Sequence, residues 1–85
     1  MDINTINKIK ERCDKATDGP WISFIENRDH TSGSSFIRTS GEDIELMGAS
    51  DDDQDFIATT RLDIPALIDE VLRLRNLLEV NHITY

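Results

Sequence analysis

The chain has 85 residues, with 17 acids against 9 bases and a formal charge of −8. That length makes one domain, burying only roughly 60–65% of the surface its unfolded form exposes. The charge disfavours a non-specific nucleic-acid binder, which needs a basic face to displace counterions. The single cysteine, Cys13, excludes a disulfide within the chain and fits a reducing compartment.

The first element is a helix over residues 3–17. Ile3, Ile6, Ile9, Cys13 and Ala16 recur at steps of three and four, one stripe of a 3.6-residue period. Asp2 or Asn4 suits its N-cap, and Lys10, Arg12 and Lys15 lie toward the end where the dipole favours cations. Gly19 and Pro20 stop it, since Gly tolerates a left-handed cap and Pro cannot extend a helix. Cys13, on the apolar stripe, reads as a small hydrophobe.

The middle of the chain reads as strand. Aromatic and β-branched residues predict strands over 21–26 and 35–39, and the alternation of Ile44, Glu45 and Leu46 predicts another over 43–47. Polar turns between them make a three-stranded antiparallel meander, one face of which must pack on helices. Ser50 followed by Asp53 resembles a capping box opening a helix over 51–60, with Asp51, Asp52 and Asp53 at the positive end of its dipole. Pro65 predicts a break after Leu62 and a new helix over 65–80. Here Ile64, Leu67, Val71, Leu74 and Leu78 recur at steps of 3, 4, 3 and 4, a heptad-like seam of roughly two heptads. Asp69 with Arg73 and Arg75 with Glu79 are expected ion pairs on its outer surface. The fold class is therefore α+β: an N-terminal helix, a three-stranded meander, a short helix and a longer amphipathic one.

Chemistry-bearing patterns are weak. Asp51, Asp53 and Asp55 have the spacing of a calcium loop, but Phe56 stands where that loop needs Gly and Leu62 where it needs a bidentate Glu. The four acids Asp51, Asp52, Asp53 and Asp55 read first as helix N-terminal charge and second as an acidic patch. His30 and His82 have no partners spaced for a metal, so neither a metal nor a cofactor is expected. No nucleophile–base pair can be named, and the chain reads as a non-enzyme. Trp21 is a core anchor or, if exposed, a stacking or interface residue. Arg28, His30, Ser34 and Arg38, in and around the polar turn 27–35, are donors able to cradle a phosphate, with Trp21 to hold a base. The beginning Met1-Asp2-Ile3-Asn4 lacks a basic-then-apolar leader, and no apolar run approaches the ~20 residues of a membrane span. The expected location is the cytoplasm.

Two stretches carry a resemblance. Ala16-Thr17-Asp18-Gly19-Pro20-Trp21 closes the first helix, and Asp55-Phe56-Ile57-Ala58 precedes Arg61-Leu62-Asp63-Ile64-Pro65-Ala66-Leu67-Ile68-Asp69-Glu70-Val71. Together they resemble small phage and prophage accessory proteins of the Ead-like early-region type. Residues 22–50 lie outside the resemblance, and Asp18 stands where many such proteins carry Pro. The shared residues are turn formers, apolar anchors and helix starts, which specify a scaffold. The resemblance implies a dispensable phage-encoded protein that acts inside the host cell, and it carries over no enzymatic activity.

The expected function is thus binding of a host protein, as a homodimer through Leu67, Val71, Leu74 and Leu78. The same stripe could instead close the core against Ile3, Ile6 and Ile9. The alternatives are a sponge for a nucleotide signal, built on Trp21 and the Arg28–Arg38 loop, and an acidic mimic of nucleic acid built on Asp51 to Asp55. Direct nucleic-acid binding and membrane association are not expected.

Overall fold

The computed structural model describes residues 1–29 and 34–82. Helix α1 (Ile3–Lys15) opens on Asp2, whose carboxylate accepts the Thr5 N–H at 2.8 Å, and closes with Arg12 and Lys15 in its last turn. It ends two residues before the predicted 17. Ala16 takes extended backbone, and the Thr17 carbonyl accepts instead from the Trp21 indole at 2.9 Å and from Arg61 at 3.0 Å. A local donor four residues on and a distant one thus satisfy a carbonyl that lies beyond the helix end.

Strands β1 (Ile22–Phe24) and β2 (Phe36–Arg38) pair antiparallel, with Ser23 opposite Ile37 and Phe24 opposite Phe36. Both are shorter than the predicted 21–26 and 35–39. The Phe24 and Phe36 rings stack at 5.2 Å between centroids, and the Arg38 guanidinium lies 4.8 Å from the Phe24 centroid. Ile37 is wholly buried.

The meander has two strands, not three. The predicted strand over 43–47 reduces to a single bridge, in which Ile44 exchanges both backbone hydrogen bonds with Ile37 at 2.8 and 2.9 Å. Its approach is a tight turn held by Thr39, whose hydroxyl accepts from the Gly41 N–H and donates to the Glu42 carbonyl. Its exit is Gly48, at φ +80°, which turns the chain toward the next helix. Between these turns only one residue stays in register.

Helix α2 runs unbroken from Asp51 to Val80, 30 residues with Pro65 inside. The capping box is present: the Ser50 hydroxyl accepts the Asp53 N–H and the Asp53 carboxylate accepts the Ser50 N–H, both at 3.1 Å. The predicted break at 62–65 and the separate helices 51–60 and 65–80 are corrected. Pro65 removes the hydrogen bond to the Arg61 carbonyl, a local loss of about 3 kcal/mol in a helix interior. The packing of α1 offsets it. Cys13 and Ala16 share a groove with Thr60, Arg61 and Ile64, while Ile6 and Ile9 share another with Ile64, Leu67 and Ile68. α1 and its C-cap Ala16 therefore line grooves with α2 residues on both sides of Pro65, and a break there would separate the two. Arg75 donates to the Met1 carbonyl near the other end, so α1 and α2 run antiparallel. On the outer surface, Arg73 pairs with Glu70 at 2.5 Å rather than with Asp69.

Among the described residues the buried apolar side chains are few: Ile6, Ile25, Ile37, Ala58 and Ile68. The molecule is long, 56 × 21 × 20 Å, with a radius of gyration of 16.8 Å. A compact domain of this length has about 12 Å. Among the described residues, no helix is long and apolar enough to cross a membrane.

Candidate functional site

The seam predicted on the last helix is a surface. Leu67 is 60% exposed, Leu74 45% and Val71 39%, while Leu78 is half-buried. The four span roughly 60° of the helix circumference at 100° per residue. The neighbouring row carries the packing on α1: Ile68 is buried, and Ile64 and Leu72 are half-buried. Of the two roles open to the seam, closing the core therefore falls to its neighbours. Beside the seam lies a groove between α1 and α2, lined by Met1, Ile6, Ile9, Ile64, Leu67, Ile68 and Val71, every one apolar. Leu67 and Val71 belong to both features. Phe56, three turns earlier on the same face, is 70% exposed.

The predicted ligand residues are not brought to one place. Arg28 grips the Asp55 carboxylate with two hydrogen bonds, at 2.8 and 3.0 Å, and also reaches Asp29 at 3.1 Å. Those hydrogen bonds raise its already high pKa. They draw the Asp55 carboxyl down to about 2, with Arg28 as the largest cause and Ser23 the next. Asp29 is lowered chiefly by the Ile25 N–H, which it accepts at 2.7 Å. The Ser34 hydroxyl donates to the Glu45 carboxylate at 3.2 Å. Arg38 lies over Phe24. His30 is outside the described residues. The donors proposed for a phosphate thus face the protein's own carboxylates or an aromatic ring.

Trp21 sits elsewhere. It is half-buried between two grooves, one shared with Pro20, Leu62 and Pro65, the other with Ile9, Cys13 and Ile64. Its neighbour Gly19 lies so close to α2 that a Cβ there would meet the Arg61 Cγ at 3.2 Å. Arg61 also reaches the Asp18 carboxylate at 4.0 Å. The turn 17–21 and the segment beginning at Arg61, the two stretches singled out in the sequence, are therefore in direct contact. Their contact is that of a scaffold.

Of the acidic patch, Asp51, Asp52 and Asp53 are exposed, Asp53 with its carboxylate on the helix cap, and Asp55 is half-buried in its clasp with Arg28. Among the described residues, no group of three or more His, Cys, Asp or Glu is placed to hold a metal ion.

One residue escaped the sequence reading. Gln54 is only 4% exposed, and its amide Nε2 lies 2.9 Å from the Ser23 hydroxyl, 3.2 Å from the Phe24 carbonyl and 3.1 Å from the Phe36 carbonyl. It ties α2 across both strands. The signal was its place one turn before Ile57 and Ala58, a polar residue on the inner face of the helix.

No protein-family model matches the chain, and no curated protein sequence or solved structure matches it.

Proposed function

We propose that this is a non-enzymatic accessory protein of the phage type, acting in the host cytoplasm by binding a host protein. The observation that carries the reading is the apolar side of α2, where Phe56, Leu67, Val71 and Leu74 stand exposed, against five buried apolar side chains among the described residues. Exposed apolar area of this kind, rimmed by charge, marks a protein–protein contact. The resemblance of the Ala16–Trp21 and Asp55–Val71 stretches to phage accessory proteins supports the setting. The nucleotide sponge draws less support, since Arg28 and Ser34 are turned to carboxylates. Nucleic-acid mimicry draws less support, since Asp53 and Asp55 of its four acids are engaged in a helix cap and a clasp with Arg28.

The test is photo-crosslinking from the apolar face. A photoreactive amino acid placed at Phe56 is irradiated in a bacterial host lysate, and adducts are identified by mass spectrometry. A discrete adduct with one host protein, lost when the unlabelled protein is added in excess, is expected. Adducts with itself alone, or none, overturn the reading.

A further inference from the structure

We infer that the apolar row Leu67, Val71, Leu74 and Leu78 of α2 is covered by a second copy of this chain, with the two α2 helices antiparallel about a two-fold axis. The inference goes beyond the protein-binding reading: the second copy takes residues 65–80 of this side, and Phe56, outside that overlap, stays open to a host protein.

The first argument is area. The chain exposes 6451 Å². A compact monomer of this mass exposes about 5,100 Å², so roughly 1,300 Å² is in surplus. A standard stable dimer removes about 800 Å² from each copy, and the surplus is large enough to supply it. The surplus follows from shape: α2 extends as a single rod, and α1 covers only one of its sides.

The second argument is self-complementarity. A two-fold interface needs one patch that fits itself. Here an apolar groove and a row of apolar knobs lie side by side, with Leu67 and Val71 common to both. Pairing in the heptad register sets Val71 against the partner's Leu74 and Leu67 against the partner's Leu78, in four layers that repeat through the axis. The overlap covers residues 65–80, about 24 Å of helix. Each α1 then lies outside its own α2, and the assembly has four helices packed side by side.

The third argument fixes the direction. A parallel pair would set the two acidic first turns, Asp51 to Asp53, next to each other on chains already at −8. The antiparallel pair sends them to opposite ends. In its register Glu70 falls beside the partner's Leu77, so no acid on this flank faces an acid.

Sedimentation equilibrium tests the association and oxidative crosslinking tests its direction. At micromolar concentration the chain is expected at twice 9.7 kDa. The double variant Leu67→Glu/Leu74→Glu is expected at the single mass with its helical circular dichroism kept, because both positions are already exposed. In a Cys13→Ser background, Leu67→Cys with Leu78→Cys is expected to give a covalent dimer on mild oxidation, and Leu67→Cys alone is not. An antiparallel register brings positions 67 and 78 within disulfide reach and keeps the two copies of position 67 apart. A single mass for the unmodified chain at all concentrations overturns the dimer. Crosslinking of the Leu67→Cys variant alone overturns its direction. A monomer that still crosslinks to a host protein removes this inference and leaves the protein-binding reading standing, whereas a dimer with no host adduct does the reverse.

Discussion

Two residues hold the helical and sheet parts of this protein together, and each gives a measurable expectation. Gln54 donates to acceptors 18, 30 and 31 positions away in sequence. Replacing it with Leu leaves the Phe24 and Phe36 carbonyls without that donor, a loss of about 1–3 kcal/mol. The expected result is a lower urea midpoint with an unchanged slope. The Arg28–Asp55 clasp responds to pH. Asp55 has its pKa lowered from 3.8 to about 2 by Arg28, so its contribution is full above its unfolded value and is lost as pH falls through about 2. Both side chains are partly exposed, so the contribution is small. Between about pH 4 and about pH 2, Asp55→Asn is expected to lose less stability than the unmodified chain when followed by urea titration. Neither residue's role was legible in advance, because both depend on partners brought from distant parts of the chain. By contrast, the caps at Asp2 and Ser50 were legible, since donor and acceptor are three residues apart.

At the scale of elements, the same division holds between local and distant causes. The helical character of the two ends is legible because apolar residues recur at steps of three and four, which marks an apolar stripe whether or not it is buried. The third strand was over-read: alternation at Ile44 and Leu46 marks a half-buried segment, but the number of residues that pair is set by the turns at Thr39 and Gly48. The break at Pro65 was over-read for the opposite reason, since the local penalty is outweighed by α1 spanning the position. Pro65→Ala restores the missing backbone donor and is expected to raise the stability of the protein by about 1–3 kcal/mol, with little change in helical signal. A marked gain in helical signal would show that α2 is interrupted there. Ser50→Ala removes one half of the capping box and is expected to lower stability by about 1 kcal/mol in the same assay. The candidate surface was legible as a heptad pattern. Which side of that pattern α1 would occupy was not, because Ile64 and Ile68 and the Leu67–Val71 row are adjacent on one helix.

At the scale of the whole molecule, elongation and charge act together. Each copy carries −8, so two copies brought together repel through solvent. Salt screens that repulsion over a Debye length of about 10 Å at 0.1 M, while apolar contact at Leu67 and Leu74 is indifferent to such screening. Self-association is therefore expected to tighten as ionic strength rises from about 20 to about 200 mM, read as a falling dimer Kd by sedimentation. A Kd that weakens with salt would point to charge attraction as the driving contact. The continuity of α2 has one more outcome. Gln54, where the hairpin is tied on, lies about 18 residues from the centre of the proposed pairing, or about 27 Å at 1.5 Å per residue. Two-fold pairing would hold two copies of the exposed Phe56 near opposite tips of a stiff spacer, about 50 Å apart, so that a bivalent target with matching spacing would be gripped by avidity rather than by the strength of either tip.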